Sequence, residues 1–132
     1  NNFVKTMLRL MKEREGIGVV TDQIGTPTWA NSLARVIWQL LDHNVCGLFH
    51  WSDAGVASWY DFAVAIQEEA HALGLLQKQI PIKAIATADY PLPATRPGFS
   101  VLDKTATCRS IGRQPDHWRA NLRQMLKELI GP

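Results

Sequence analysis

The chain has 132 residues, of which 46% are hydrophobic and 20% are charged, and its formal net charge is +2. This length fits a single domain over residues 1–132, and the composition excludes a disordered chain. Lysines and arginines are dispersed, which argues against a nucleic-acid partner. No apolar run reaches the roughly 18 residues of a membrane span, and no signal peptide is evident, so we expect a cytoplasmic protein without a membrane partner.

The first predicted elements are a helix and a strand. Apolar residues recur every three or four positions over residues 2–15, which predicts an amphipathic helix. Asn1 or Asn2 is the candidate N-cap, because an asparagine side chain accepts hydrogen bonds from the free N–H groups of a first helical turn. Residues 18–20 predict a short strand that leads into a polar turn.

A second helix and a buried strand come next. Thr28, directly after a proline, is the candidate N-cap of this helix. The apolar run 45–50 is bounded by turn residues and therefore predicts a buried strand. Cys46 lies inside this run, so we expect its thiol to be buried and inert. The helix is expected to bury one apolar face, made of Leu33, Val36, Ile37, Leu40 and Leu41.

The second half of the chain predicts two further helices and two short strands. Ser58-Trp59-Tyr60-Asp61 is typical of a capping box that opens a helix, and the last helix is expected to begin at Pro115. Residues 80–85 and 99–102 predict short strands, separated by a proline-rich loop over 86–97. The order of elements indicates an α/β fold, more specifically a helix-rich α+β domain, without the run of parallel strands that a nucleotide-binding sheet requires.

Two polar segments are candidates for a binding site. In the turn over residues 22–28, Gln23 offers donors and an acceptor suited to a base edge or a sugar hydroxyl, and Gly25 permits close backbone approach. The alternative is an ordinary strand-to-helix turn in which Asp22 accepts hydrogen bonds from local amides. Arg96, in the proline-rich loop, suits bidentate binding of a diphosphate, and its alternative is a surface salt bridge.

Other residue patterns exclude several kinds of site. Gly16-Ile17-Gly18 follows a helix and lacks the third glycine of a dinucleotide-binding fingerprint. Tryptophans are expected mostly in the core, with Trp29 or Trp51 lining a ligand pocket. We expect no catalytic residue, metal or cofactor in this chain. The histidines and cysteines lack metal-ligand spacing; these are His43, His50, His71, His117, Cys46 and Cys108.

A colinear series of motifs resembles one known family. In this order and over essentially the whole chain, the motifs are similar to the C-terminal, substrate-binding part of the dTDP-4-dehydrorhamnose reductases, which are extended short-chain dehydrogenases/reductases. The matching segments are Asn2–Leu10, Lys12–Glu15, Val19–Thr28, His50, Ser58–Ala63, Tyr90–Pro97, Ser100–Asp103 and Pro115–Trp118.

The resemblance implies a role in dTDP-L-rhamnose synthesis. The family reduces the 4-keto group of a dTDP-linked deoxysugar with NADPH or NADH, which an N-terminal Rossmann domain binds. That domain also supplies a catalytic Tyr-x-x-x-Lys pair, whereas Tyr60 and Tyr90 are followed four residues later by Val64 and Ala94. We therefore expect a truncated chain, beginning inside a helical pattern, that is inactive alone and needs a Rossmann half in cis or in trans.

The resemblance also implies a set of residues that contact the dTDP-sugar. Arg96 would bind the diphosphate, and the turn after the first strand would face the nucleotide or the sugar. The alternative hypothesis is a non-catalytic module that self-associates as a homo-oligomer or binds another protein through apolar surface. The expected substrate-binding residues are Asn2, Phe3, Val4, Gln23, Gly25, Thr26 and Arg96.

Overall fold

Five α-helices and four short strands form the part of the chain that the computed structural model describes, residues 2–91 and 93–131. This arrangement confirms the predicted helix-rich mixed fold. None of the described helices is long and apolar enough to cross a bilayer. In chain order the elements are α1 (Phe3–Glu13), β1 (Ile17–Val20), β2 (Ile24–Gly25), α2 (Ala30–Asp42), β3 (Ala57–Ser58), α3 (Trp59–Ala72), β4 (Ile82–Ile85), a 3₁₀ turn (Thr87–Asp89), α4 (Thr105–Ile111) and α5 (Trp118–Ile130).

Helix α1 forms as its pattern predicts. The Asn2 side chain caps it by accepting a hydrogen bond from the Lys5 N–H at 3.0 Å, while the alternative cap, Asn1, lies outside the described residues. The helix ends at Glu13, two residues before the predicted end. Its buried face consists of Val4, Met7, Leu8 and Met11.

Helix α3 is the centre of the hydrophobic core. It opens with the predicted capping box, in which the Ser58 hydroxyl accepts from the Asp61 N–H and the Asp61 carboxylate accepts from the Ser58 N–H, both at 3.0 Å. Helices α1 and α5 pack on either side of it, together with β1 and β4. Because Ala63, Ile66 and Ala70 are almost fully buried, the small and branched residues of α3 allow these neighbours to approach closely.

The described strands form two separate two-stranded sheets. Strand β1 pairs in parallel with β4, with Ile17 opposite Ile82, so the strand predicted over 80–85 is confirmed in part. Strand β2 pairs antiparallel with β3. The strand predicted over 99–102 is wrong, because the structure forms there only a single bridge between Ile24 and Phe99.

The strand predicted over 45–50 is also wrong. These residues have no regular structure, and Leu48 is 85% exposed. Cys46 is exposed rather than buried. The physical reason is that a strand needs a neighbour to satisfy its backbone groups, and no described strand lies beside this run.

The predicted core face of α2 is largely exposed. Val36 is the one residue of this face that is fully buried, because α2 packs chiefly against the short helix α4. Four large apolar side chains remain exposed and are called the α2 surface below: Leu33, Ile37, Trp38 and Leu41.

Helices α4 and α5 complete the C-terminal region. Helix α4 was not predicted, and α5 begins at Trp118 rather than at Pro115. His117 caps α5, since its Nδ1 accepts a hydrogen bond from the Arg119 N–H at 3.2 Å. Trp118, Leu122 and Leu126 form the predicted buried stripe; Met125 packs against it half-buried, and Leu129 is exposed.

Glu69 joins α3 to α5 through two arginines. Its carboxylate accepts hydrogen bonds from Arg123 at 2.7 Å and from Arg119 at 2.8 Å, although the Glu69 side chain is only 8% exposed. The hydrogen bonds from Arg123, opposed by burial and reinforced by Arg119, lower the pKa of Glu69 from 4.5 to about 2. A carboxyl group whose pKa is lower in the folded state stabilises that state above the unfolded pKa.

We expect Glu69→Gln to reduce the free energy of unfolding at pH 7 by about 1–2 kcal/mol, less than the full pKa shift implies because both arginines are partly exposed to solvent. The contribution is present above about pH 4.5 and is lost as the pH falls towards 2. The free energies of unfolding of the wild type and of Glu69→Gln, measured with urea, should therefore converge in that window. Glu13→Gln, in the exposed pair with Arg9, serves as control and should cost at most about 0.5 kcal/mol. A difference for Glu69→Gln that does not depend on pH would contradict this assignment.

Candidate functional site

An open cleft of about 610 Å³ lies where α1, α2, α3 and α5 meet the turn after β1. The start of α1 forms one side and the largely buried face of α5 another. The turn that carries β2 forms a third side, together with the loop around Arg96. Most of its walls are apolar, as is typical of small-molecule sites.

All seven residues that the resemblance selects line this cleft, although they come from three distant segments of the chain. They differ in exposure: Asn2 and Arg96 are exposed, whereas Val4 is 8% exposed and belongs to the core. Their contact with a ligand stays a prediction. The seven are Asn2, Phe3, Val4, Gln23, Gly25, Thr26 and Arg96.

The turn after β1 is fastened chiefly to the 3₁₀ turn that follows β4. The Asp22 carboxylate accepts hydrogen bonds from the Thr87 N–H at 3.0 Å and from its hydroxyl at 2.6 Å. These hydrogen bonds lower the pKa of Asp22. The Gln23 amide NH₂ also donates to the Thr87 hydroxyl, at 3.1 Å. This bond uses one of the two N–H donors of the Gln23 amide.

Gly25 and Thr26 are closely fitted to neighbouring segments. A Cβ atom added at Gly25 would lie 2.9 Å from the Ser100 Oγ, which is closer than packed atoms approach. The Thr26 hydroxyl donates to the Gly55 carbonyl at 2.8 Å. The absence of a side chain at Gly25 thus allows the loop at Ser100 to lie against β2.

Arg96 is the single cation among the described residues of the cleft wall. Within the described part of the chain, its guanidinium makes no hydrogen bond or ion pair, so the surface salt bridge considered as its alternative role does not form. Its five N–H donors are accordingly available to an anion. In the described residues no group of three His, Cys, Asp or Glu side chains is arranged to hold a metal ion.

Asp53 fixes the start of α2, the role predicted for Thr28. It is 1% exposed, and its carboxylate accepts from the Trp29 N–H at 3.1 Å and from the Ser32 hydroxyl at 2.6 Å. Thr28 is not the N-cap, because Trp29 takes that position, and the Thr28 hydroxyl accepts a hydrogen bond from the Asp53 N–H instead. The negative charge of Asp53 at this helix N-terminus is also favoured by the helix dipole.

The loop that carries Asp53 is held on its other side by Lys104 and α5. The Lys104 ammonium group donates to the Asp53 carbonyl at 2.8 Å. Ala54 donates to the Asp116 carbonyl at 2.8 Å and accepts from the Trp118 N–H at 3.0 Å. This loop therefore joins α2, α4 and α5 around one end of the cleft.

Sequence reasoning placed Phe3 and Trp29 at the site but missed Trp59, Phe62 and the α5 residues of the wall. Phe3 packs on Trp59 and Phe62, with ring centroids 4.7 and 5.4 Å apart, and Phe62 meets Trp118 edge-on. Asn121 also lines the cleft. Of the two tryptophans proposed for a pocket, Trp29 lies in the wall and Trp51 does not. The helical spacing of Trp118, Leu122 and Met125 predicted only that these residues belong to the hydrophobic core.

Comparison with known proteins supports a specific family. The family model of the RmlD substrate binding domain matches residues 1–130. A dTDP-4-dehydrorhamnose reductase of Aggregatibacter actinomycetemcomitans is 44% identical over 131 residues, which cover 95% of this chain and 45% of that protein. The spore coat polysaccharide biosynthesis protein SpsK of Bacillus subtilis is 41% identical, with 97% of this chain and 42% of that protein covered.

A solved structure agrees with the sequence relatives. The crystal structure of a dTDP-4-dehydrorhamnose reductase from Bacillus anthracis, in complex with NADP, matches with a TM-score of 0.87 and 36% identity. The match covers 97% of this chain and 43% of that one. The present chain therefore spans less than half the length of these relatives.

We expect Asp53→Ala to reduce the free energy of unfolding by about 1–3 kcal/mol, because it removes the negative charge at the start of α2 and leaves the Trp29 N–H without its acceptor. Thermal unfolding measures this loss. Asp42→Ala, at the opposite end of the same helix, is the matched control and should be nearly neutral, since a negative charge there is not favoured by the helix dipole. Equal effects of the two variants would show that Asp53 does not stabilise the start of α2.

Proposed function

The chain belongs to the RmlD substrate binding domain family, and from this premise we propose that its cleft binds the dTDP-sugar substrate of a dTDP-4-dehydrorhamnose reductase. The family model matches nearly the whole chain. In this proposal the chain supplies the binding and orientation of the sugar nucleotide, while the reduction of the 4-keto group takes place on a second, Rossmann-type part.

The observation that carries the proposal is the unpaired Arg96 at the edge of an apolar, aromatic cleft. A nucleotide sugar carries two negative charges on its diphosphate between two uncharged rings, the base and the sugar. A guanidinium fork binds phosphate oxygens in a bidentate manner. Aromatic rings such as Phe3 and Trp59 offer flat apolar surfaces to a base or a sugar ring. The charge and the surfaces of the cleft thus match the two kinds of group in this ligand.

The cofactor belongs, in this proposal, to the Rossmann-type part. The related structure from Bacillus anthracis is a complex with NADP, which favours NADPH, or NADH, as the hydride source. The side chains described for this chain would hold the substrate and not the cofactor. A cytoplasmic location fits a biosynthetic reductase of this kind and stays a prediction.

We expect Arg96→Ala to weaken binding of dTDP-L-rhamnose to this chain about 10- to 100-fold, because a charge-assisted, bidentate contact to the diphosphate contributes about 1.5–3 kcal/mol. Isothermal titration calorimetry measures the affinity. Arg35→Ala, an exposed arginine on α2, is the matched control and should leave the affinity unchanged. Binding by Arg96→Ala at the wild-type affinity would exclude the diphosphate contact.

The α2 surface supports a second proposal, which concerns a partner. Ile37, Trp38 and Leu41 are 49%, 67% and 60% exposed, and neighbouring apolar groups of this kind mark interfaces. We propose that a Rossmann half, supplied in cis or in trans, covers this surface, in preference to a second copy of the chain. The unpaired apolar run 45–50, which follows α2 directly, favours a partner that offers a sheet edge.

We expect the double variant Ile37→Glu, Leu41→Glu to abolish the complex between this chain and a Rossmann half of a family member, because two carboxylates would be buried in an apolar interface. Light scattering coupled to size-exclusion chromatography measures complex formation. The control Ile130→Glu changes an exposed apolar residue on α5 and should leave the complex intact. A homodimer that only the double variant disrupts would instead support self-association.

A further inference from the structure

Thr87 lies outside the cleft wall but is hydrogen-bonded to a residue within it. It is the first residue of the 3₁₀ turn after β4, stands 64 positions after Gln23 in the chain, and does not line the cleft. Its hydroxyl donates to the Asp22 carboxylate at 2.6 Å and accepts from the Gln23 amide at 3.1 Å. Thr87 therefore links a charged surface group to a side chain of the cleft wall.

The Asp22 carboxylate determines how the Gln23 amide is oriented. A hydroxyl has one hydrogen to donate, and the negatively charged carboxylate takes the hydrogen of Thr87. The Thr87 oxygen can then only accept, so the Gln23 amide has to present its NH₂ group and not its carbonyl oxygen. The other N–H and the carbonyl oxygen of this amide have no partner among the described residues. Because Gln23 lines the cleft, these groups are left for a ligand.

The backbone around the Gln23 side chain is held independently of the Thr87 hydroxyl. The Thr87 N–H also donates to the Asp22 carboxylate, at 3.0 Å, and this contact does not need the threonine side chain. A backbone hydrogen bond of 2.8 Å joins the Ile24 N–H to the loop two residues after Arg96. Removal of the hydroxyl should therefore leave the turn and the Arg96 loop in place and release only the Gln23 amide.

We propose that Thr87 is a positioning residue for the bound nucleotide sugar: its hydroxyl, itself fixed by Asp22, holds the Gln23 amide so that one N–H and the carbonyl oxygen meet an uncharged polar edge of the ligand. This inference rests on the proposed function and adds to it the residue that orients Gln23. A neutral amide that both donates and accepts suits a base edge or a sugar hydroxyl, whereas the guanidinium of Arg96 suits the diphosphate. An amide that is fixed in advance loses less conformational entropy on binding, which increases the affinity.

Two threonines of the chain offer a matched pair of substitutions. Thr105, at the start of α4, also donates both its N–H and its hydroxyl to one exposed carboxylate, that of Asp103, at 2.9 and 2.7 Å, and neither residue lines the cleft. Thr87→Val and Thr105→Val thus each remove one hydroxyl contact to an exposed aspartate, so both should lower the melting temperature by a similar, small amount. Only Thr87→Val also frees a side chain of the cleft.

We expect Thr87→Val to weaken binding of dTDP-L-rhamnose about 3- to 10-fold, the effect of one hydrogen bond, as measured by calorimetric titration. Thr87→Ser keeps the hydroxyl and should restore the affinity to within about 2-fold of the wild type. Thr105→Val should bind like the wild type. Wild-type affinity of Thr87→Val would overturn the inference, and so would a loss that Thr87→Ser does not reverse or that Thr105→Val shares.

A double-mutant cycle tests whether Thr87 acts through Gln23. In the Gln23→Ala background there is no amide to orient, so Thr87→Val should cause no further loss of affinity. Two losses that add independently would overturn the proposal. A loss with dTDP as well as with dTDP-L-rhamnose would support a contact to the nucleotide, and a loss with dTDP-L-rhamnose alone a contact to the sugar. Failure of the wild-type protein to bind either ligand would overturn the proposed function, and this inference with it.

Discussion

The shape of the cleft depends on one buried carboxylate, that of Asp53. It receives two hydrogen bonds at the start of α2, from Trp29, 24 residues earlier in the chain, and from Ser32. A buried charge is tolerated only when it is fully hydrogen-bonded, so Asp53 and the first turn of α2 have to be in place together. Because the Asp53 backbone is also held by Lys104, a single loop determines where α2, α4 and α5 stand around the cleft.

The rest of the cleft is built from a packed core and from loops that hydrogen bonds hold against it. Apolar packing of α1, α3 and α5 supplies a rigid base, and hydrogen bonds over long distances in sequence fix the loops on it. Asp22 reaches Thr87, 65 residues away, and the backbone at Ile24 pairs with the loop at Gly98 and Ser100. Binding residues on loops that a rigid scaffold positions are the usual arrangement of functional sites. Gln23, next to Asp22, and Arg96, two residues before Gly98, are thereby held in one cleft.

How well the sequence predicted each feature depends on how far apart in the chain the interacting residues lie. The capping box at Ser58 and Asp61 and the cap at Asn2 involve residues three apart, and both are confirmed. Thr28 looked like a cap by the same local rule, but Trp29 takes that position and its N–H is bound by a carboxylate from a distant loop. The resemblance brought together residues of the cleft that spacing alone did not connect, because their proximity depends on the whole fold. Asn121 was missed since its helical position resembles a core position.

The errors over α2 and residues 45–50 have a common physical cause. Both patterns are typical of segments that are buried or paired, and within the described residues no element covers most of the α2 face or pairs with residues 45–50. A pattern reports what a segment requires for burial or pairing, not whether the same chain supplies it. Arg96 is a similar case at the cleft, where its positive charge has no partner within the described residues. The unmet requirements are of two kinds, apolar area on α2 and a positive charge in the cleft, and they support the two occupants proposed above: a protein surface on α2 and an anionic small molecule in the cleft.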